Sequence, residues 1–441
     1  MPTTFENAII DLVATAEEFT GFDGVERACA VRDLRGRVRL VVKGGEALDV
    51  PALSVALEAR LRRWFHGPVL STRAGSPAEV RLATEVLARS RPWPTFWPTR
   101  WTDVSGEAHA VSPERWRGVQ SVLSKQAWLD GAAGRGAWPM VAQAPVIVAF
   151  YSFKGGVGRS TLLGVMAWQL ARLGQKVVCV DLDVEAPGLG SMLRVRGETS
   201  VLEHLLTFAA TGQAPPDDPV QEIDVRGAKI GVVPAGSLGR AYVEKLARLD
   251  YLGAAAAEDS PVAQALHALL FDIRRRHRPD YILLDCRAGI HDLGGLSLND
   301  LAHVDVLVGR DNPQGREGME LTLQVLAAHR APQDRRVLLV QTFVPMPLYD
   351  EPSQVSQARY RAAMHAACEK TLYAGLDDVP AEGDDQAAHF PWPVGQLPEL
   401  AAFQHLEDIS EATLNSPELN NLCARLQALA AEEDDDARTE Q

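Results

Sequence analysis

At 441 residues, 46% hydrophobic and 23% charged, the chain has a globular composition and about two to three times the common domain length, so two domains are expected. Its net charge of −14 is uneven: residues 1–142 carry +2 and the remainder −16, which argues against broad binding to a phosphate backbone but leaves room for a small polyphosphate in a local site. Five scattered cysteines (Cys29, Cys179, Cys286, Cys368 and Cys423), with no CxxC or other ligand spacing, exclude a disulfide scaffold and a zinc site, and a reducing cytoplasm is the expected location.

From Phe5 to Phe19, FENAIIDLVATAEEF is amphipathic and acidic at helical spacing, with neither the basic start nor the apolar run of a signal peptide or membrane span. ACAVRDLRGRVRLVVKG then alternates through Arg35-Gly36 as strand, turn and strand. A helix from Ala52 to Phe65, a strand at PVLST and a helix from Pro77 to Arg89 follow. The next stretch, rich in Trp and Pro, carries Trp93, Trp97, Trp101 and Trp116. Such residues suit a binding surface or packing at a core edge, and packing is the preferred reading. Residues 1–130 are thus a small α+β domain, a candidate sensor or partner-binding module, and the small residues of GAAGRGAWPMVAQAP mark a linker over 131–143.

Over residues 144–428 the pattern changes. VIVAFYS, a helix from Ser160 to Leu173, KVVCVDLD, KIGVVPAG, DYILLDCR, VDVLVG and RVLLVQTF alternate apolar strands with helices, which predicts an α/β fold with a mostly parallel, doubly wound sheet. Ligands of such sheets sit beyond the carboxyl ends of the strands, where the polar motifs fall. The basic run Arg274-Arg275-Arg276-His277-Arg278 ends a predicted helix and complements its dipole. Residues 429–441, with six acidic side chains and no periodicity, are expected to be a disordered acidic tail.

Between the strand ending near Ser152 and the helix starting near Arg159 lies Lys154-Gly155-Gly156-Val157-Gly158-Arg159-Ser160-Thr161. Glycines let successive backbone N–H groups converge on phosphate oxygens, the helix N-terminus adds its dipole, and the Ser160 hydroxyl is placed to ligate Mg²⁺. After the next strand, Asp181-Leu182-Asp183-Val184-Glu185-Ala186-Pro187-Gly188 sets two carboxylates two residues apart. A third acid, Asp285, ends the apolar run Tyr281–Leu284 and precedes Cys286-Arg287-Ala288-Gly289-Ile290, a Walker B arrangement. Cys286 reads as a small buried thiol.

Taken together these motifs resemble the ParA/MinD (SIMIBI) class of P-loop ATPases in its deviant KGGxGK[ST] form, here the KGGVGR variant. The resemblance implies ATP and Mg²⁺ as cofactors, hydrolysis to ADP and phosphate, and a homodimer formed on ATP binding in which Lys154 reaches the partner's nucleotide. It implies metal coordination by Ser160, Asp181, Asp183 and Asp285, with Asp183 orienting the attacking water. Arg159 replaces the usual lysine and makes slow hydrolysis the expectation, because a planar fork differs from a compact ammonium. Gly231–Gly236 and Phe390-Pro391-Trp392-Pro393 echo later class motifs, and Gln341-Thr342-Phe343-Val344-Pro345 stands where relatives place a base-reading Asn, so Thr342 and Pro391 are expected among the nucleotide-binding residues. The class also implies a controlled protein partner, reached here through the N-terminal domain. The KGGVGR, DLDxEAPG and D-x-R-x-G combination is similar to components of bacterial multi-gene systems, including anti-phage defence. The alternatives are a non-hydrolysing ATP sensor or scaffold and a ParA-like DNA-partitioning ATPase; the charge balance does not support nucleic acid, and the acidic C-terminus does not support membrane attachment.

Overall fold

The computed structural model describes residues 3–94, 97–121, 124–129, 136–141, 144–196, 199–252, 260–329, 336–401 and 403–431. The chain divides into two compact units, Met1–Leu123 and Ser124–Gln441.

In the first unit, β1 (Val25–Arg32) and β2 (Val38–Gly44) form the antiparallel hairpin that the alternation predicts, turning at Gly36 with φ 81°. With β3 (Leu70–Ser71), β4 (Arg91–Pro92) and β7 (Trp116–Gln120) they make a mixed sheet ordered β3-β2-β1-β7-β4, while β5 (Arg100–Thr102) and β6 (Ala108–Ala110) pair separately. Helix Val50–Leu61 opens with Asp49 accepting from Ala52 N at 3.0 Å and lays Leu53, Leu57 and Leu61, one helical face, into the core beside Ile9, Leu12 and Val13 of helix Ala8–Glu17. The tryptophans pack: Trp116 is fully buried, stacks on Phe22 and donates from Nε1 to Glu17 at 2.6 Å, while Trp93 meets both Trp97 and Trp116 edge-on.

The second unit is built on an eight-stranded sheet: β8 (Val146–Tyr151), β9 (Val177–Asp181), β10 (Gln221–Val225), β11 (Ala228–Val233), β12 (Tyr281–Asp285), β13 (Val304–Arg310), β14 (Arg336–Val344) and β15 (Trp392–Gly395), ordered β10-β11-β9-β12-β8-β13-β14-β15. All pairings are parallel except β10 with β11. The pleat sends alternate residues to two cores. Ile147, Ala149 and Tyr151 join Val178, Val180, Ile282 and Leu284 on one face; Val148 and Phe150 join Val177, Cys179, Tyr281 and Leu283 on the other. Helices cover both faces, so the central strands are continuously apolar. No helix among the described residues is long and apolar enough to cross a membrane.

Two boundaries differ from the sequence reading. Trp138 and Met140, within the run read as linker, are buried: Trp138 joins the second unit's core and its Nε1 donates to Pro145 O at 2.8 Å. Large apolar surface outweighed the glycine content that suggested a linker; residues 130–135 and 142–143 of this stretch lie outside the described residues. Helix Pro417–Ala430 takes the first two residues of the assigned tail by burying Leu429, and residues 432–441 lie outside the described residues.

Phe150 is fully buried at the sheet's centre. Phe150→Ala is expected to cost about 3–5 kcal/mol, read from the denaturant midpoint of the second unit's transition in the full chain; a loss below about 1 kcal/mol contradicts this packing.

Candidate functional site

Strand register brings the motifs together. On β12, Asp285 lies opposite Asp181 of β9 on one side and Phe150 of β8 on the other, so the three strands end level. The chain leaves each end through bonds to its neighbours: Leu182 N donates to Asp285 O (3.0 Å), Cys286 N to Phe150 O (3.0 Å) and Gly289 N to Ser152 O (3.1 Å).

From β8 the chain runs through Phe153–Gly158 into helix Arg159–Arg172. Gly156 (φ 71°) and Gly158 (φ 82°) hold left-handed backbone, which a side chain would strain. A Cβ built on Gly155, Gly156 or Gly158 would meet no heavy atom within 4 Å, so conformation rather than crowding requires Gly156 and Gly158 and the loop's outer face stays open. Phe153, at the position of the first P-loop glycine, lies against Gly318, where a Cβ would come within 2.0 Å of the ring; Gly318 accommodates the departure. Lys154 is exposed and has no ion-pair partner among the described residues.

Arg159 turns inward. Its Nε donates to Asp285 Oδ1 at 2.7 Å, its Nη2 to Asp183 Oδ2 at 2.9 Å, and Ser160 Oγ lies 3.4 Å from Nη2. The arginine side chain is 8% exposed and that of Asp285 0%. Burial works against the cation, but Asp285 and Asp183 outweigh it and raise the Arg159 pKa, so the guanidinium stays charged. Burial raises the pKa of Asp285 despite the attraction of Arg159 and the bond from Ser160. Burial also raises Asp181 well above the carboxylate range, reinforced by the charges of Asp285 and Asp183.

The structure gives these acids different surroundings. Asp181 accepts from the backbone N–H of Asp183 (3.1 Å) and of Leu189 (3.2 Å), shaping the turn between them. Asp285 Oδ2 is buried without a hydrogen-bond partner, an orphaned acceptor beside Ser160 that fits a cation's shell. These oxygens form an oxygen-rich, anionic set that would suit a hard divalent cation, with Arg159 as its internal counter-charge. Cys286 is wholly buried, and burial pushes its thiol up to about 12, which leaves it unreactive.

The later motifs also converge. Thr342 lies in β14 and Pro391 just before its neighbour β15, where Gln341 pairs with Pro393. Thr342 is buried, its Oγ1 2.9 Å from Val157 O and 3.1 Å from Gly309 O, and it braces the phosphate loop from behind. Gly231–Gly236 closes β11, where Pro234 O accepts from Val201 N at 2.9 Å. The basic run ends helix Pro261–His277, with Arg275 and Arg276 paired to Asp272.

Sequence reasoning missed two groups. Tyr242 donates from its hydroxyl to Val184 O, anchoring the segment after Asp183. Glu185 pairs with Arg287 and lies 3.0 Å from His291 Nε2, linking the two carboxylate loops. Glu185 stands two residues beyond Asp183 and Arg287 two beyond Asp285, and this matched spacing was the available signal.

The comparisons agree with the segment that carries the phosphate loop. Residues 143–215 match the ParA family model, described as the NUBPL iron-transfer P-loop NTPase. An uncharacterized ATP-binding protein of Methanocaldococcus jannaschii is 28% identical over 180 residues, which are 40% of this chain; the match spans 56% of that relative's length. Among solved structures, pNOB8 ParA is similar at 17% identity and TM-score 0.46, with 64% of this chain and 99% of that one covered. The cell division ATPase MinD of Pyrococcus furiosus is similar at 18% identity and TM-score 0.42, again with 64% and 99% covered.

Removing one partner of a buried pair leaves the other charge uncompensated. Arg159→Ala is therefore expected to destabilise the second unit by about 3–5 kcal/mol. In a denaturation double-mutant cycle, adding Asp285→Asn should recover about 1 kcal/mol or more, and strict additivity would refute the coupling.

A level row of strand ends, a glycine loop feeding a helix and the motif order Lys154–Thr161, Asp181–Asp183 and Asp285 agree with the ParA P-loop NTPase model matched over residues 143–215, to which the second unit is similar.

Proposed function

We propose that this chain is an ATP-driven dimerisation switch that hydrolyses ATP slowly and whose assembly state controls a protein partner. The observation that carries the reading is the division of labour between two cations on one loop: Arg159 is buried and committed to Asp183 and Asp285, whereas Lys154 is exposed and unpaired among the described residues. A free ammonium at the rim of a phosphate loop is suited to a nucleotide held by a second copy.

In this reading the backbone N–H groups of Gly155–Ser160 cradle the phosphates and the helix N-terminus stabilises their charge. Ser160 and Asp285 would hold Mg²⁺, which would supply positive charge to offset that of the phosphates. Asp183 orients the water that attacks the γ-phosphorus, the β–γ bridging oxygen departs with ADP, and phosphate is released. The first unit carries the assembly state to its partner, in the manner of bacterial multi-gene systems, anti-phage defence among them. The acidic second unit favours a protein partner over the DNA of partitioning relatives.

One observation favours a second reading, a non-hydrolysing ATP sensor: Arg159 engages the Asp183 carboxylate that water positioning requires.

Sedimentation velocity of the full chain is expected to show a monomer that becomes a dimer with ATP and Mg²⁺, and Lys154→Ala to abolish the change. An unaltered assembly state together with unchanged turnover in Lys154→Ala overturns the switch. Phosphate release separates the two readings: slow turnover that Asp183→Ala abolishes supports the switch, and no release above buffer supports the sensor.

A further inference from the structure

The loop after each carboxylate strand carries a charged side chain that the account so far leaves unused. Glu185 follows β9 and Arg287 follows β12, and the two form an ion pair, while the other Glu185 oxygen lies 3.0 Å from His291 Nε2. Unlike the Arg159 cluster, this pair is partly open to water: the Arg287 side chain is 28% exposed and that of Glu185 30%, although the paired Nη1 is itself covered. A partly exposed pair is more screened than a buried one and costs less to exchange.

The turn bearing Arg287 is tied from both sides to the end of β8, which leads into the phosphate loop. Cys286 N is bonded to Phe150 and Gly289 N to Ser152, the residue next to Phe153, and Gly289 adopts φ 78° to bend the chain there. Tyr151 Oη lies 3.2 Å from Gly289 O and tightens the same turn. Arg287 is therefore a partly exposed guanidinium on a fixed turn that is bonded to the strand end leading into the phosphate loop. Its present partner is a single carboxylate, and a terminal phosphate offers more charge and a matching geometry for the guanidinium fork.

We propose that Arg287 distinguishes a nucleoside triphosphate from a diphosphate at this site. The terminal phosphate takes the guanidinium from Glu185, and Glu185, in the segment after Asp183, keeps only its contact with His291 on the Asp285 loop. The inference rests on the reading that the phosphate loop binds ATP, and it assigns the sensing of the third phosphate to a residue outside that loop.

Calorimetric titration of the full chain with Mg²⁺ and either ADP or the non-hydrolysable triphosphate AMP-PNP tests it. Wild type should prefer AMP-PNP. Arg287→Ala should hold the ADP affinity within about twofold and lose roughly tenfold or more of the AMP-PNP affinity, the scale of one charge-assisted hydrogen bond. Glu185→Gln keeps the arginine and frees it, so the triphosphate preference should rise; this variant carries the test if Arg287→Ala does not fold. Equal weakening of both nucleotides by Arg287→Ala, or an unchanged affinity ratio in Glu185→Gln, overturns the assignment. If wild type binds both nucleotides and only the ratio fails to respond, ATP binding stands and this inference falls. If wild type binds neither, both fall.

Discussion

The site is organised around one buried cation. Arg159 lies between Asp183 and Asp285 with almost no access to water, and a charge so placed is tolerable only with its partners held close. Those partners come from different strands, so their closeness depends on the register of β9, β12 and β8. The two cores on either face of the sheet hold that register, and the phosphate loop is thereby coupled to packing throughout the second unit.

Arginine at this position changes what the other charges must do. A lysine ammonium is a compact point charge, whereas the guanidinium fork joins two carboxylates at once. With Arg159 bridging inward, the cations nearer the rim are exposed Lys154 on the loop and half-buried Arg287 on the neighbouring turn. The first has no partner among the described residues and the second has an exchangeable one, so the rim is the adaptable part of the site and the interior the rigid part. Tyr242 and Thr342 add to that rigidity by bonding to the backbone behind Asp183 and behind the phosphate loop.

Much of the fold was legible in the residues. The apolar runs of β8, β9, β11, β12, β13 and β14 read as strands because both faces of a covered parallel sheet are apolar, and the helix after the phosphate loop followed from its glycines. β10 was missed because an edge strand such as Gln221–Val225 alternates polar residues and carries little apolar signal. The run around Trp138 read as linker because periodicity says nothing about a single large side chain that plugs a core. The positions of Lys154, Arg159, Asp181, Asp183 and Asp285 at strand ends and loop were readable from motif and order. That Arg159 would bond to Asp183 and Asp285, that Asp181 would be taken up by backbone N–H groups, and that Glu185 would meet Arg287 are long-range pairings no local pattern encodes.

The most direct test of a switch built on two cations is a crystal structure of the full chain with Mg²⁺ and a non-hydrolysable ATP analogue. The account predicts two copies facing each other, with Lys154 of each against the nucleotide of the other and Arg159 still between Asp183 and Asp285. A single copy with bound nucleotide and Lys154 in solvent would contradict it.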